Sequence, residues 1–277
     1  PKDIILTEPI TISLSPTQDT YISHLLIVAD NNSKVKFLEE IQDKEKKASS
    51  ASLMVELIAR PGSHIEFSSL DELSQDTPLY FNRRAKIEKD AHVEWAIAFM
   101  NDCNTLGDLD SELVGEGSFA DSKAIAVTTA NQKVGINNRV TNRGPHSTGL
   151  INQRGVLLEN SRLIFNGIGQ IVHGAHGSKA DQQNRVLMMS DEAHGDANPL
   201  LLIDENDVIA AHAASVGPVD KVQMNYLMSR GIPYDQAQRL VIRGFLGAVL
   251  DAIPNKDVRR KMIDILERKL IDGQIKH

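Results

Sequence analysis

Ser33-Lys34-Val35-Lys36-Phe37, Ser63-His64-Ile65-Glu66-Phe67 and Ala91-His92-Val93-Glu94-Trp95 repeat one pattern. In each, a small residue leaves a polar or Gly-containing turn and an alternating strand follows. The anchors Ser33, Ser63 and Ala91 are nearly evenly spaced, and a looser copy at Ser118-Phe119 continues the series. Strand-and-turn units recurring at such a period mark a coil stacked on a coil, as in solenoids. The turns Glu159-Asn160-Ser161 and Asp204-Glu205-Asn206 keep the style and are read as having lost the register. A β-sandwich places its turns every 8 to 12 or so residues with two-residue hairpin signals. Here Asn31-Asn32 and Pro61-Gly62 lack that framing, and no six-residue aliphatic period supports a hexapeptide helix. The expectation is a mainly β chain: a single-stranded parallel β-helix over residues 1–217, followed by an α-helical segment over 218–277.

The change of period comes after Gly217. Asp220 with Gln223 three residues on reads as an N-terminal capping box, and Met224, Leu227 and Met228 share a face until Gly231 ends the helix. A second helix is expected from near Tyr234 to Ala252. Its stripe is read as Ala237, Leu240, Val241, Gly244 and Ala248, small enough to admit another backbone. Pro254 is expected to break it and Asn255 to cap a third helix, with Val258, Met262, Ile265, Leu266 and Lys269 on one face and a frayed tail beyond Leu270. A cut at Gly217 is expected to leave the β-helix folded.

Composition narrows the chemistry. The chain has 277 residues, 41% of them hydrophobic, enough for a sizeable core. Its 30 basic and 37 acidic side chains leave a net charge of −7, so no global positive field holds a phosphate backbone, and nucleic-acid binding is disfavoured. No stretch of about 18 apolar residues and no signal pattern argue for a membrane or secretion. With Cys103 as its one cysteine, the chain makes no internal disulfide and no four-thiolate centre, which fits a reducing cytoplasm. A start at Pro1 without an initiator methionine reads as a fragment lacking its N-terminal region.

Several motifs have plain structural readings. Gly167-Ile168-Gly169 has Val172 where a dinucleotide loop needs its third glycine, and no phosphate-cradling G-x-x-x-x-G-K-[ST] run exists. His173 and His176 flank Gly174 without a helix to converge them on a metal, so a turn role is expected. Cys103 has no activating base nearby and reads as buried. The pairs Asp108 with Asp110 and Asp71 with Glu72 raise the alternative of a β-helix polysaccharide lyase or hydrolase, but 4% aromatic residues leave little for a sugar to stack on. Lys44 to Lys47 reads as a solvated loop.

The most informative stretch runs from Leu200 to Gly217, through Ile203-Asp204-Glu205-Asn206-Asp207-Val208 and His212-Ala213-Ala214-Ser215-Val216-Gly217. Ser229-Arg230-Gly231-Ile232 and Arg243-Gly244-Phe245 follow it. This order resembles the C-terminal signature of the SufB/SufD family of iron-sulfur cluster assembly scaffolds, sharply from about Arg154 to Phe245 and loosely before. The SufB branch carries a cysteine and a glutamate where this chain has Ala193 and Ala213, so the SufD branch is the better match. SufD relatives often have a cysteine at the position of Ala210, which leaves His212 as the one reactive side chain of the motif.

The resemblance implies a right-handed β-helix with C-terminal helices and a scaffold that is not itself an enzyme. It implies pairing with a SufB-like subunit through the β-helix ends; the strand edge itself leaves a homodimer in isolation open as the alternative, since the same edge could serve either. It also implies a SufC-like ATPase docked on the helices, where Ser229, Arg230, Gly231, Ile232, Tyr234, Gln236 and Arg239 are the candidate contacts. No cofactor is expected on this chain alone. A transient iron-sulfur cluster would form at the SufB interface, with His212 as the candidate interface or metal ligand.

Overall fold

The computed structural model describes residues 1–16, 19–42, 50–251 and 256–274. Among these residues, eight strands form one parallel sheet: β1 (Ile10–Leu14), β3 (Lys34–Gln42), β5 (His64–Glu72), β7 (His92–Phe99), β9 (Phe119–Thr128), β11 (Thr148–Leu157), β13 (Ser178–Met188) and β15 (Val208–Pro218). Seven form the opposing parallel sheet: β2 (Thr20–Ala29), β4 (Ser50–Ala59), β6 (Leu79–Ile87), β8 (Thr105–Leu113), β10 (Lys133–Asn142), β12 (Arg162–Ile171) and β14 (His194–Ile203). Strands alternate between the sheets in chain order, which is a parallel β-helix of two strands per coil. Helices α1 (Lys221–Ser229), α2 (Tyr234–Leu250) and α3 (Lys256–Gln274) follow.

The repeat is carried by turns. Lys34, His64, His92, Phe119, Thr148, Lys179 and Ile209 are successive register partners, one per coil. Before each of the first six coils' strand starts stands a residue with left-handed backbone: Asn32, Gly62, Asp90, Gly117, His146 and Gly177, with φ between 53° and 70°. Each donates its N–H to a carbonyl in the turn of the next coil, from Asn32 to Pro61 (3.0 Å) through His146 to His176 (2.8 Å). Gly, Asn and Asp tolerate this conformation, which is why the punctuation is polar. The register therefore continues past Ser118, contrary to the sequence reading. The Asp204–Asn206 turn belongs to this ladder, one coil after His176, while Glu159–Ser161 sits at the opposite corner, between β11 and β12.

Alternation along each strand sends every second side chain into the lumen. One lumen column reads Ile10, Phe37, Phe67, Trp95, Ser122, Ile151, Gln182, His212 in register order. Its aromatic part stacks at 6.1 Å between Phe37 and Phe67 and 5.3 Å between Phe67 and Trp95. Trp95 is therefore core, its indole N–H donating to Ser111 Oγ at 3.1 Å.

The helices do not cap the last coil. They lie along the outer face of the eight-stranded sheet, where Ile242, Leu246 and Val249 of α2 and Met262, Ile265 and Leu266 of α3 cluster with Leu38, Leu70, Ala98, Ile125 and Val156. Arg154 of β11 donates to the Phe245 carbonyl (2.6 Å), and Lys261 of α3 bridges Glu40 (3.0 Å) and Glu72 (2.9 Å). The buried face of α2 thus differs from the small-residue stripe: Ala237 is buried and Val241 half-buried, but Leu240 and Gly244 are exposed, and a Cβ at Gly244 would meet nothing. Bulky Ile242 and Leu246 win the interface because they cover more apolar surface. Asp220 does cap α1, accepting the Val222 N–H at 2.8 Å. Of Met224, Leu227 and Met228, however, only Met224 is buried. Helix α3 continues past Leu270 to Gln274, and Lys269 on its inner face is buried, reaching Asp102 at 2.6 Å. The expected break at Ala252 to Asn255 and the Lys44–Lys47 loop lie outside the described residues, as do the side chains of Ala248 and Val258.

Candidate functional site

The last coil has strand partners on one side only, because among the described residues nothing stacks beyond β14 and β15. Edge strands of this kind present unpaired backbone groups that a partner strand can satisfy. His212 lies near the middle of β15, not after it, and is exposed. Its register partner is Gln182, a lumen residue 1% exposed, so the imidazole continues the lumen column at the open end. Ala210 and Ala214, two positions to either side, share its face and leave the ring unobstructed, while Ala211 and Ala213 point to the outer face.

The helical candidates fall into two groups. Ser229, Arg230, Gly231, Tyr234 and Gln236 are exposed around the α1–α2 turn. Gly231 has φ +84°, Ser229 Oγ donates to the Tyr226 carbonyl (2.7 Å), and the Arg230 guanidinium sits 5.2 Å from the Tyr226 ring. Ile232 is half-buried, and Arg239, within α2, pairs with Glu267 of α3 at 3.8 Å. Beside the turn a cleft of about 840 Å³ opens between the end of β13 and the helices, lined by Met188, Met189, Met224, Met228 and Tyr234 among others.

The remaining chemical candidates are structural. Cys103 is fully buried, 3.7 Å from Thr105 Oγ1, and burial together with the Asp71 carboxyl pushes its thiol up, so it stays protonated. His173 is exposed 3.8 Å from Glu205, and His176 meets the His146 ring edge-on at 5.2 Å one coil away. Among the described residues no three metal-ligating side chains converge. Gly167 and Gly169 face the lumen in mid-strand β12, with no helix after them. Asp108 and Asp110 share an outer face, but Asp108 is held by Tyr80 (3.1 Å) and Asn137 (2.8 Å), and among the described residues Tyr80 is the one aromatic lining their cleft. Burial raises the Asp110 carboxyl and Glu112 adds to it. Asp71 and Glu72 point to opposite sides of β5, into the lumen and toward Lys261. No sugar-binding groove is built by either pair. Gln182 was not singled out by sequence reading, although it precedes His212 by one coil length.

Two comparisons place this architecture. The family model for the SUF system FeS cluster assembly, SufBD core domain, matches residues 12–245. The iron-sulfur cluster assembly protein SufD of Bacillus subtilis is 39% identical over 274 residues, which is 98% of this chain and 63% of that protein. A SufBD family protein of Mycobacterium leprae is 26% identical over 230 residues, 83% of this chain and 26% of its own length. One from Staphylococcus epidermidis is 21% identical over 257 residues, 92% and 55% respectively. The chain spans less than two thirds of each of these relatives.

Proposed function

The chain belongs to the SufBD family of iron-sulfur cluster assembly proteins, and from that premise we propose that it is a scaffold subunit of the SufD kind, without catalytic turnover of its own. It pairs with a SufB-like subunit through the edge formed by β14 and β15. A nascent cluster is the cargo of that interface. The observation that carries this reading is the exposed His212 at the open end of the lumen, on an edge strand whose neighbours are alanines. Strand-edge pairing uses backbone hydrogen bonds and needs small side chains where two chains approach. Imidazole is a good ligand for iron and titrates near neutral pH in general. The chain's own thiol is unsuited to the task, because Cys103 is buried and protonated, so thiolates come from the partner.

A SufC-like ATPase docks on the α1–α2 turn, where Ser229, Arg230, Tyr234 and Gln236 are exposed beside the methionine-lined cleft. Methionines adapt their shape to a partner surface. Without the SufB-like subunit the same edge pairs with a second copy, as a self-complementary strand allows. The deciding experiment is His212→Ala in the reconstituted complex, with cluster formation and subunit assembly followed in parallel. Loss of cluster with assembly intact is expected, and a normal cluster yield overturns the role of His212.

A further inference from the structure

Along the outer face of the seven-stranded sheet one register row reads Asp108, Asn137, Asn166, Asn198, a residue each from β8, β10, β12 and β14. In-register side chains of parallel strands stand side by side on one face, so short amides at this spacing reach one another. They do so without a break. Asn137 Nδ2 donates to Asp108 Oδ1 at 2.8 Å, Asn166 Nδ2 to Asn137 Oδ1 at 2.7 Å, and Asn198 Nδ2 to Asn166 Oδ1 at 3.0 Å. The other oxygen of Asp108 accepts from the Tyr80 hydroxyl of β6 at 3.1 Å.

Every amide in this row points the same way, and Asp108 is the reason. A carboxylate only accepts, so Asn137 must turn its Nδ2 toward β8 and its Oδ1 toward β12. Asn166 then faces an oxygen and must donate in turn, and so must Asn198. A reversed amide anywhere in the row would set oxygen against oxygen. The polarity is thus carried from β8 to β14, about 14 Å by strand spacing, and β14 is the last strand of that sheet. Asn137 and Asn166 each hold their Oδ1 toward the next coil, where an amide donates to it. Asn198 repeats their register position with its Nδ2 bonded backward in the same way, and among the described residues nothing donates to its Oδ1. Asp196, two positions earlier on the same face of β14, is a second exposed acceptor.

We propose that this ladder selects the partner of the β14 edge: Asn198 presents an oxygen there, and the strand of the SufB-like subunit that pairs with β14 sets a hydrogen-bond donor beside it, an amide, hydroxyl, ammonium or guanidinium. This rests on the pairing edge proposed above and adds which side chains that edge accepts. A strand docked on β14 brings its own side chains alongside at the spacing of one further coil. Water satisfies the Asn198 oxygen while the edge is open. Once a partner excludes water, an oxygen facing another oxygen loses its hydrogen bond at a cost, whereas a donor continues the row. A second copy docked with Asn198 opposite Asn198 meets acceptor with acceptor, so the ladder disfavours that register of self-pairing.

Three substitutions of Asn198 in the full chain separate the explanations, with affinity for a purified SufB-like subunit measured by isothermal titration calorimetry. Asn198→Asp has the same shape and keeps an acceptor at the edge but loses the donation to Asn166; its Kd should stay within about 3-fold of the native value. Asn198→Leu and Asn198→Lys remove the acceptor, and each should weaken binding about 10- to 100-fold, because the partner's donor is left unpaired. Thermal unfolding of the isolated chain should rank the variants differently, since Asn198→Lys can still donate to Asn166 Oδ1 and Asn198→Asp cannot. If Asn198→Asp weakens binding as much as Asn198→Leu, the row is a structural ladder only and the inference fails. Native affinity in Asn198→Leu likewise overturns it, by showing that no donor faces this position. A native chain that does not bind the subunit at all refutes the pairing edge and the inference with it, and that failure shows before any variant is made.

Discussion

Removing the charge of Glu39 should destabilise the β-helix more than any surface change, because of what it leaves behind. Glu39 and Arg83 meet inside the lumen, 1% and 0% exposed. Arg83 Nη2 donates to Glu39 Oε2, Nη1 reaches the carbonyls of Leu53 (3.2 Å) and Asn82 (3.3 Å), and the guanidinium lies 4.0 Å from the Phe81 ring. Ser69 Oγ donates to the same carboxylate oxygen at 2.8 Å. Glu39→Gln keeps the shape but strands a guanidinium that cannot lose its proton under ordinary conditions. Breaking a buried pair in this way costs about 3–5 kcal/mol. Replacing both partners by apolar residues, Glu39→Met with Arg83→Met, should return to within about 1 kcal/mol of the native chain or exceed it, since the desolvation cost of both charges disappears. The pair is imperfect in any case, because Glu39 Oε1 and Arg83 Nε have no partners among the described residues. Urea unfolding followed by circular dichroism, at about 0.15 M and about 1 M salt, gives the double-mutant cycle; the coupling should survive high salt, since buried charges are little screened. A loss below about 1 kcal/mol for Glu39→Gln would refute the reasoning, by showing that Arg83 finds water or other partners in place of the usual penalty.

Asp71 should make stability fall as pH rises from about 4 to about 7. Burial raises its carboxyl to about 7, against the bonds from Asn101 and the Leu73 N–H and the field of Lys269. The folded state therefore holds its proton more tightly than the unfolded chain, and that advantage is lost as pH climbs through the folded value. At about 1.36 kcal/mol per pKa unit the effect is on the order of 4 kcal/mol. Asp71→Asn should remove this component from the pH profile of urea midpoints, and parallel profiles for the two proteins would refute it. Truncation after Gly217 should not yield a soluble β-helix: it bares Leu38, Leu70, Ala98, Ile125 and Val156 on one face, and sedimentation should show aggregates where the sequence reading expected a folded fragment.

The coil-on-coil architecture was legible because its punctuation is a backbone requirement. A left-handed residue at each turn restricts the choice to Gly, Asn, Asp and a few others, and Ser33, Ser63, Ser118, Ser147 and Ser178 follow in step. Three of these hydroxyls donate to a carbonyl of their own turn, as Ser33 to Asp30 (2.6 Å), Ser118 to Gly115 (2.7 Å) and Ser147 to Gly144 (2.8 Å). Ser178 reaches back to Gly144, in the turn one coil earlier, at 3.2 Å. The helices were legible as helices but not in their facing. In α2 the small residues suggested close approach of a backbone, whereas the surface to be covered is a broad sheet flank that bulky side chains fill better. The burial of Lys269 follows from position too: only the tertiary contact with Asp102 and the Asn101 carbonyl makes a lysine tolerable there.

His212 could be singled out from the sequence, but its surroundings could not, and the reason is arithmetic. Coil length varies along the chain, odd in some coils and even in others, as the register pairs of both sheets show. A one-residue error in any coil reverses which side chains face the lumen. The pairing of Gln182 with His212 becomes readable only when Gly177-Ser178 and Asp207-Val208 are recognised as successive turn anchors, the former donating from Gly177 N to the Asp207 carbonyl at 2.6 Å. Once that anchor is set, the same column read backward passes from Gln182 through Ile151 and Ser122 to Trp95. The stacked rings fill the lumen toward the other end, around the buried Glu39–Arg83 pair. The open end carries the imidazole of His212, one strand beyond the buried Gln182 amide. The fold thus ends this column on an exposed imidazole, on an edge strand that a second chain can pair with. In the proposed assembly a partner on this edge supplies backbone pairing and thiolates, and the strand described here supplies the imidazole.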